Sequence, residues 1–285
     1  EPSDEILMTN HEYGALIRAW CSMSNKTGVR IVQQEIPIPL VSKEKFKNDF
    51  WSGVSDKTKV IFISHITSPT ALILPIKEII QMAKSRGILT IIDGAHVPGH
   101  IPLNINDLGC DFYTGALHKW LCMPKGTTFL YVKKAHQNWV SPVVKSWGDE
   151  GEDPGPSNFL KEFQWQGTND LSSFLTVPSA INFYNKHIKQ NKNDCFLLAS
   201  EASSKFNQIL GTNRIYEGGN WIGQMVAHPL PKNAPEDLKD ILLKDFKIEI
   251  PIFKWNGIRL IRASFQIYND KKDLDSIVNA LSSIF

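Results

Sequence analysis

The N-terminal half of the chain alternates short apolar runs with amphipathic stretches, and this alternation limits the possible folds more than any other feature. Amphipathic stretches predict helices, the second opened by a Ser42 cap and the third beginning at Pro75 and closed by Gly87. The predicted strands cover residues 5–9, 29–36, 59–64, 88–93, 111–114 and 127–132, and the predicted helices 14–24, 42–53 and 75–86. Because parallel strands need crossover connections, we predict an α/β fold, a mostly parallel sheet with helices on both faces.

A change in composition separates this half from the rest of the chain. The segment GDEGEDPGPS at residues 148–157 is acidic and rich in Gly and Pro, and it predicts a loop or lid. Long helical patterns follow at 171–186 and 193–210, and then shorter strands and helices. The chain has 285 residues, which suggests about two domains. We expect a large domain over 1–170 and a smaller C-terminal α+β domain over 171–285.

Charge and cysteine content narrow the class of protein. Lys and Arg total 31 against 29 Asp and Glu, so the net charge of +2 gives no field that would hold nucleic acid or an anionic membrane. No apolar run approaches the roughly 18 residues of a membrane span. The four cysteines form no C-x-x-C pair and no disulfide framework. We therefore expect a cytoplasmic protein that binds neither nucleic acid nor membrane.

Polar residues follow four of the predicted strands. In an open α/β sheet, ligands bind beyond the carboxyl ends of the strands, so an acid, several histidines, hydroxyls and one lysine should meet at one edge. The four groups are Thr9-Asn10-His11, Ser64-His65-Ile66-Thr67-Ser68, Asp93-Gly94-Ala95-His96 and Thr114-Gly115-Ala116-Leu117-His118-Lys119.

Lys119 is the most informative of these residues. It follows a histidine behind a strand and precedes the apolar Trp120, which is not the usual place of a solvated lysine. A buried lysine has a lowered pKa, and its neutral amine attacks carbonyl carbons. Asp93 ends an apolar strand, where an unpaired carboxylate is costly, so we expect it to face a cation such as a protonated pyridine nitrogen. A Lys–Asp ion pair or a helix cap at Asp93 remains the alternative.

The segments Asp93-Gly94-Ala95-His96 and Asp111-Phe112-Tyr113-Thr114-Gly115-Ala116-Leu117-His118-Lys119-Trp120 resemble the cofactor signature of the class V aminotransferases, pyridoxal-phosphate enzymes of fold type I. The run 92–132 is most similar to the isopenicillin N epimerase-like branch. The resemblance extends from residues 10–15 to residues 262–269. It implies the fold type I large domain followed by a small domain.

The resemblance also implies roles for individual residues. Lys119 would form a Schiff base with pyridoxal phosphate and move protons at the substrate α-carbon, Asp93 would pair with the pyridine nitrogen, and Arg262 would hold the substrate α-carboxylate. The other implied cofactor contacts are His11 and Ala95 on the two ring faces, His96 at the ring hydroxyl, His118 at the phosphate, and Thr168 at the phosphate of a neighbouring subunit. The last contact implies a homodimer with a shared active site.

Each of these residues also has a plainer interpretation. Taken on spacing alone, His11 could be an ordinary loop histidine. His96 and His118 could be satisfied core histidines, and Arg262 a strand residue paired with an acid.

Three departures from the family pattern affect the expected chemistry. Related cysteine desulfurases carry a persulfide-forming cysteine shortly before the arginine, but residues 245–262 contain none, which disfavours that reaction. Where those enzymes have an asparagine near the ring hydroxyl, this chain offers Thr67 or Ser68. Ala116 replaces a serine of the phosphate cup.

The family binds the phosphate chiefly on a small-residue loop at a helix N-terminus. That loop would lie upstream of Glu1, and neither Gly218-Gly219 nor the pair Gly14 and Gly28 has a spacing that replaces it. We therefore expect an N-terminally incomplete chain, whose own affinity for the cofactor is in question.

Three classes of function are consistent with these patterns. The first is a pyridoxal-phosphate enzyme that acts on an amino acid or small peptide with a free α-amine, most similar to the epimerases, with an aminotransferase or a cysteine or C–S lyase as the alternative. The second is a metal-dependent hydrolase using Asp93, His96 and His100, although Val97-Pro98-Gly99 prevents the two histidines from sharing a helix face. The third is a non-catalytic fragment or degenerate binding protein.

Overall fold

The computed structural model describes residues 1–149, 156–218 and 220–285. Six strands form one sheet in the order β2-β1-β3-β4-β5-β6, in which β1 to β5 are parallel and β6 is antiparallel to β5. The strands are β1 (Glu5–Thr9), β2 (Arg30–Gln34), β3 (Thr58–Ser64), β4 (Leu89–Asp93), β5 (Phe112–Ala116) and β6 (Thr128–Val132), and the helices among them are α1 (Gly14–Thr27), α2 (Lys43–Trp51), α3 (Ile76–Ser85) and α4 (Ile105–Leu108). The prediction of a mostly parallel sheet is confirmed.

Helices lie on both faces of this sheet. On one face, Trp20 and its apolar neighbours in α1 pack against Ile6, Met8 and Phe62. On the other face, α2 and α3 bury apolar side chains in the main hydrophobic core, among them Phe46, Phe50, Ile79 and Ile80. β1 is covered on both faces, so all five of its residues are buried, and its three central residues Ile6, Leu7 and Met8 are apolar.

The helix ends follow the predicted signals closely but not in every detail. The Ser42 hydroxyl accepts a hydrogen bond from the Lys45 amide at 3.1 Å and caps α2. Pro75 occupies the N-cap of α3, one position earlier than predicted, and the helix begins at Ile76. Gly87 follows the helix with φ +67°, a conformation that favours glycine.

The C-terminal part contains a three-stranded antiparallel sheet in the order β7-β9-β8, which α8 and α10 cover. Its core includes Phe206, Ile261 and Leu274, each fully buried. The elements are α5 (Asn158–Gln164), α6 (Ser172–Leu175), α7 (Val177–Phe183), α8 (Lys192–Leu210), β7 (Met225–Pro229), α9 (Leu238–Phe246), β8 (Ile252–Trp255), β9 (Ile258–Ser264) and α10 (Lys271–Ile284). This small α+β unit agrees with the predicted fold class.

The prediction of one helix over 171–186 is wrong. The segment contains α6, α7 and a wider turn over Tyr184–Ile188. Pro178 lies in the first turn of α7, where its missing N–H costs nothing, whereas inside a continuous helix it would remove a hydrogen bond. Of the predicted loop at 148–157, residues 150–155 lie outside the described residues, as does Gly219. No helix in the described ranges is long and apolar enough to cross a membrane.

Candidate active site

The carboxyl ends of four parallel strands meet at one edge of the sheet. Ser64 at the end of β3 pairs in register with Asp93 at the end of β4, and Asp93 pairs with Thr114 in β5. His11 follows β1 by two residues, and Lys119 lies in the turn after β5. The structure therefore brings together the polar groups that the sequence placed behind these strands.

Asp93 is a buried carboxyl group. Its side chain accepts a hydrogen bond from the Ala95 amide at 2.9 Å, and its residue is 7 % exposed. Burial raises its pKa, while the Ala95 N–H and the charge of Lys119 act in the opposite direction. Gly94 has no room for a side chain, because a Cβ atom there would lie 2.1 Å from the Tyr113 ring. The turn that places Asp93 thus depends on a glycine for a steric reason.

The amine of Lys119 lies 3.2 Å from Nε2 of His96. The lysine is exposed as a residue, but its amine end reaches a buried imidazole. Partial burial lowers its pKa, and the nearby Arg262 charge acts in the same direction while Asp93 opposes both. The pKa of His96 is well below its usual value, chiefly because of burial and then because of Lys119. Partial burial and the Arg262 charge both increase the share of the neutral amine form of Lys119 relative to a solvated lysine.

His11 is fixed by two hydrogen bonds and one ring contact. Its Nε2 lies 3.1 Å from the Ile36 carbonyl, which can only accept, so Nε2 carries the proton. Its Nδ1 then accepts from the Thr70 hydroxyl at 2.8 Å. The Trp255 ring lies against it with centroids 4.4 Å apart, and burial lowers the pKa of His11 to about 4. His11 is a neutral, rigidly held ring at this edge.

Thr67 and Ser68, the two candidate hydroxyls near His11, have different hydrogen-bond partners. The Thr67 hydroxyl bonds that of Thr70 at 2.7 Å and accepts from the Leu72 amide at 2.9 Å, so these internal partners engage it. Ser68 is only partly buried, and its carbonyl and hydroxyl both face Nη1 of Arg262, at 2.5 and 3.3 Å. Ser68 is thus the more accessible of the two predicted alternatives.

Arg262 extends from β9 of the small sheet toward this edge. Burial lowers its pKa, and its Nε is buried without a hydrogen-bond partner among the described residues. Its guanidinium lies 5.7 Å from the Phe253 ring centroid. A guanidinium held by the Ser68 carbonyl and hydroxyl, with no ion pair to an acid among the described residues, is suited to receive a carboxylate.

Two predicted site residues lie at the margin. Nδ1 of His118 lies 3.2 Å from the Thr127 carbonyl, which anchors its ring to the following loop. Thr168 lies on an exposed bend between α5 and α6, and within the described ranges no hydrogen bond joins it to the other site residues. The role predicted for Thr168 is at a neighbouring subunit, so its position in one chain leaves that prediction open.

The sequence reasoning missed Glu12. This residue is 2 % exposed, and its carboxyl accepts hydrogen bonds from the Thr9 hydroxyl at 2.7 Å and from the amide and hydroxyl of Ser64, at 2.9 and 2.5 Å. Burial, opposed by these bonds, raises its pKa to about 7, and the charge of Asp93 adds to the rise. The only sequence signal was an acid directly behind a buried strand, next to His11.

An open cleft of about 530 Å³ lies beside Arg262. Its walls come from the segment after β1, the turn after β3 and the β8–β9 hairpin, and they include Asn10, Tyr13, Ser68, Phe253 and Trp255. This size is within the range of small-molecule sites. The cleft joins the large sheet to the small one at the arginine predicted to bind substrate.

The alternative of a metal centre finds no support in these contacts. Nδ1 of His100 bonds the His96 carbonyl at 3.0 Å, and its Nε2 accepts from the Gln224 amide at 2.7 Å, so neither ring nitrogen is available. In the part of the chain that the structure describes, no three His, Cys, Asp or Glu residues are grouped to hold a metal ion.

The family model for Aminotransferase class-V matches residues 1–277. The chain belongs to the class V aminotransferase family. Two relatives show the range of the family around this chain: isopenicillin N epimerase of Amycolatopsis lactamdurans is 28% identical, over 98% of this chain and 74% of its own length, and putative L-cysteine desulfhydrase 1 of Oryza sativa subsp. japonica is 26% identical, over 99% and 64%.

The fold of this class V family member also resembles solved structures. A lysine-to-alanine mutant of C-DES, with glycine covalently linked to its PLP cofactor, matches with a TM-score of 0.84 at 18% identity, over 100% of this chain and 76% of that chain. This likeness shows the pyridoxal-phosphate fold type I architecture.

The family is one of pyridoxal-phosphate enzymes, and the residues of this site fit that cofactor. Among the described residues, the Asp93 side chain accepts one hydrogen bond, from Ala95. Burial raises its pKa, so a cationic ring N–H would stabilise its charged form. The Lys119 amine is open to the same edge.

Proposed function

We propose that this chain is a pyridoxal-phosphate-dependent enzyme that acts at the α-carbon of an amino acid or small peptide, with isopenicillin N epimerase-like chemistry. The observation that carries the proposal is the position of the Lys119 amine, 3.2 Å from His96 at the same edge as the buried Asp93. When bound, the cofactor supplies an electron sink for the pair of electrons left by the α-proton.

Each residue of the site would have its own contact with the cofactor. Lys119 would hold the cofactor through its amine nitrogen, and the same amine would move the proton at the substrate α-carbon. Asp93 would hold the ring nitrogen in its protonated form. The remaining proposed cofactor contacts are His11 and Ala95 on the ring faces, His96 with Ser68 or Thr67 at the ring hydroxyl, and His118 at the phosphate.

Arg262 would bind the substrate α-carboxylate. Its guanidinium now bonds the Ser68 carbonyl, and a carboxylate would replace this neutral acceptor with a charged, bidentate one. A substrate with a free α-amine is required, because that amine must displace Lys119. The free cysteines and the absence of cysteine in residues 245–262 support a cytoplasmic enzyme that does not use a persulfide.

A second candidate is a C–S lyase. The match to a putative L-cysteine desulfhydrase supports it, because that match covers 99% of this chain at 26% identity. Incubation with a panel of L-amino acids in deuterated water separates the outcomes. Loss of chirality with deuterium at Cα indicates epimerisation, a keto acid indicates transamination, and pyruvate with ammonia indicates β-elimination.

The proposed active unit is a homodimer with a shared site. More than half of the large exposed apolar side chains of the described residues lie between Trp139 and Phe183, the stretch that also contains Thr168. Monomeric proteins seldom expose so much apolar surface, whereas dimer interfaces bury it. The Thr168 hydroxyl would then reach the phosphate in the neighbouring subunit.

The first test of this proposal is cofactor capture. Wild-type protein mixed with pyridoxal phosphate should develop a visible absorption band, and borohydride reduction should leave the cofactor attached to Lys119 in a peptide map. Lys119→Ala should lose both signals, whereas Lys125→Ala, an exposed lysine in the same loop, should keep them. A covalent adduct in Lys119→Ala, or none in the wild type, would contradict the proposal.

A further inference from the structure

Each ring nitrogen of His96 lies within hydrogen-bond distance of a nitrogen atom from another side chain. Lys119 Nζ lies 3.2 Å from Nε2, and Nε1 of Trp120 lies 3.4 Å from Nδ1 in donor geometry. The indole N–H can only donate, so Nδ1 of His96 must be the acceptor. A neutral imidazole has one proton, and that proton is therefore on Nε2.

His96 is neutral for two reasons. It is buried, and the charged or titratable groups that face it are Lys119, Arg262 and His100, each of which opposes a positive charge on its ring. No carboxylate stabilises an imidazolium at this position among the described residues. The ring thus has a single proton to share between its two nitrogens.

This assignment has a consequence for Lys119. A proton on His96 Nε2 points at Nζ, so the amine can complete the hydrogen bond only if it has a lone pair. An ammonium group would instead require a free lone pair on Nε2, which would move the His96 proton to Nδ1 and against the Trp120 N–H. The ammonium form of Lys119 therefore forces the Nδ1–H of His96 against the Trp120 N–H, whereas the neutral amine form does not.

We propose that Trp120 is a positioning residue that fixes the Nε2–H form of His96 and, through it, favours the neutral, nucleophilic amine of Lys119. The inference rests on the proposed function, since it explains how the proposed nucleophile is kept reactive. Asp93 favours the ammonium form from the other side, and Arg262 opposes it. Trp120 shifts this balance without touching the lysine amine.

The indole is held firmly enough to act in this way. Trp120 is 6 % exposed, its ring centroid lies 4.1 Å from that of His100, and its carbonyl accepts from the side-chain amide of Gln266 (Nε2) at 3.1 Å. Gly99 packs so closely that a Cβ atom there would lie 2.9 Å from the Trp120 carbonyl. The N–H has little freedom to turn away from His96.

The first measurement is the ring protonation of His96 in cofactor-free protein. Two-bond ¹H–¹⁵N correlations of histidine-labelled wild type, with His96 assigned through His96→Gln, should show the Nε2–H form. Finding the Nδ1–H form would overturn the inference, and this result needs no variant at Trp120 to fold.

The second measurement is the pH dependence with which Lys119 reacts with pyridoxal phosphate. Trp120→Phe keeps an aromatic ring but removes the N–H. We expect the midpoint pH of the Lys119 reaction to be higher in this variant than in the wild type by about 0.5–1 pH unit, the size expected for one hydrogen bond. The matched control is Trp221→Phe, a buried tryptophan of the main core. Equal midpoints in the two variants would contradict the role of Trp120.

The two proposals fail in different ways. If wild-type protein shows the Nε2–H form but gives no visible band at any pH, the proposed function fails while the inference stands. If the band forms and Lys119→Ala abolishes it, but Trp120→Phe behaves as Trp221→Phe does, the function stands and the inference fails.

Discussion

At the scale of residues, two buried carboxyl groups near the C-terminal edge of the sheet, Asp93 and Glu12, have different surroundings. Within the described ranges the Asp93 side chain accepts one hydrogen bond, from a main-chain N–H, and the charge of Lys119 acts on it. Glu12 accepts three hydrogen bonds from neutral groups and has no cation beside it in the described ranges. Hydrogen bonds from neutral groups do not compensate fully for the lost hydration of a carboxylate, so Glu12 favours its proton near neutral pH.

This arrangement predicts a pH-dependent stability. The pKa of Glu12 is about 7 in the folded chain against 4.5 as its ordinary value, so the folded state binds the proton more tightly. The stabilisation that Glu12 contributes to the folded state is thus fully present below pH 4.5 and is lost as pH rises through 7. The total change in the free energy of unfolding is about 3 kcal/mol. Glu12→Gln should remove this part of the pH dependence, as measured by urea unfolding between pH 5 and pH 8.

Glu5→Gln provides the comparison for that experiment. Glu5 is also buried on β1, but it pairs with Arg30 and accepts from Ser55. A fall in stability from pH 5 to pH 8 that is as large in Glu12→Gln as in the wild type would contradict the assignment of this dependence to Glu12.

Some residues of the site could be predicted from the sequence, and others could not. Lys119 and Asp93 could be found because each follows an apolar strand, a signal contained in neighbouring residues. Thr70 could not, because its contact with His11 joins positions 59 residues apart. The sequence shows Trp120 only as an apolar neighbour of Lys119, and nothing in the order of residues shows that its N–H points at His96.

At the scale of elements, the strands were the easiest to predict. The first predicted strand, 5–9, agrees with β1 at both ends, and its centre is the apolar run Ile6-Leu7-Met8 that a strand buried on both faces requires. The helical pattern at 171–186 failed because periodicity alone does not register the break at Pro178. Patterns thus predicted the existence of elements better than their continuity.

Gly94 connects an element boundary to the site, and a substitution there should be costly. A Cβ atom would lie 2.1 Å from the ring of Tyr113, which is fully buried and bonds His65 through its hydroxyl at 3.0 Å. Gly94→Ala should therefore lower the free energy of unfolding by about 1–3 kcal/mol, as overpacking does.

Gly14→Ala is the matched substitution for this test. Gly14 begins α1, and a Cβ atom there would have no neighbour within 4 Å. It should be neutral or slightly stabilising. Equal unfolding midpoints for the two alanine variants in urea would show that the turn after β4 can move, contrary to the packing argument.

At the scale of the whole molecule, exposed apolar side chains predict assembly. Leu175 in α6 is 80 % exposed and lies in the stretch that we assign to a dimer interface. Sedimentation of the wild type should give a dimer, and Leu175→Lys should shift the equilibrium toward monomer. Leu243→Lys, on an exposed face of α9, should leave it unchanged. A wild-type monomer at micromolar concentration would exclude the proposed shared site.

Among the described residues, four of the hydrogen bonds that join the two parts of the chain at the site have a main-chain atom at one end, and a further one joins the Arg262 and Ser68 side chains. The four run from the Gln224 amide to His100, from Gln266 to the Trp120 carbonyl, from Trp255 to the Asn10 carbonyl, and from Arg262 to the Ser68 carbonyl. A main-chain atom survives every substitution short of proline at a donor. In each of these four hydrogen bonds, one partner is therefore insensitive to mutation. The surrounding sequence can diverge over evolution while the large and small sheets keep their alignment.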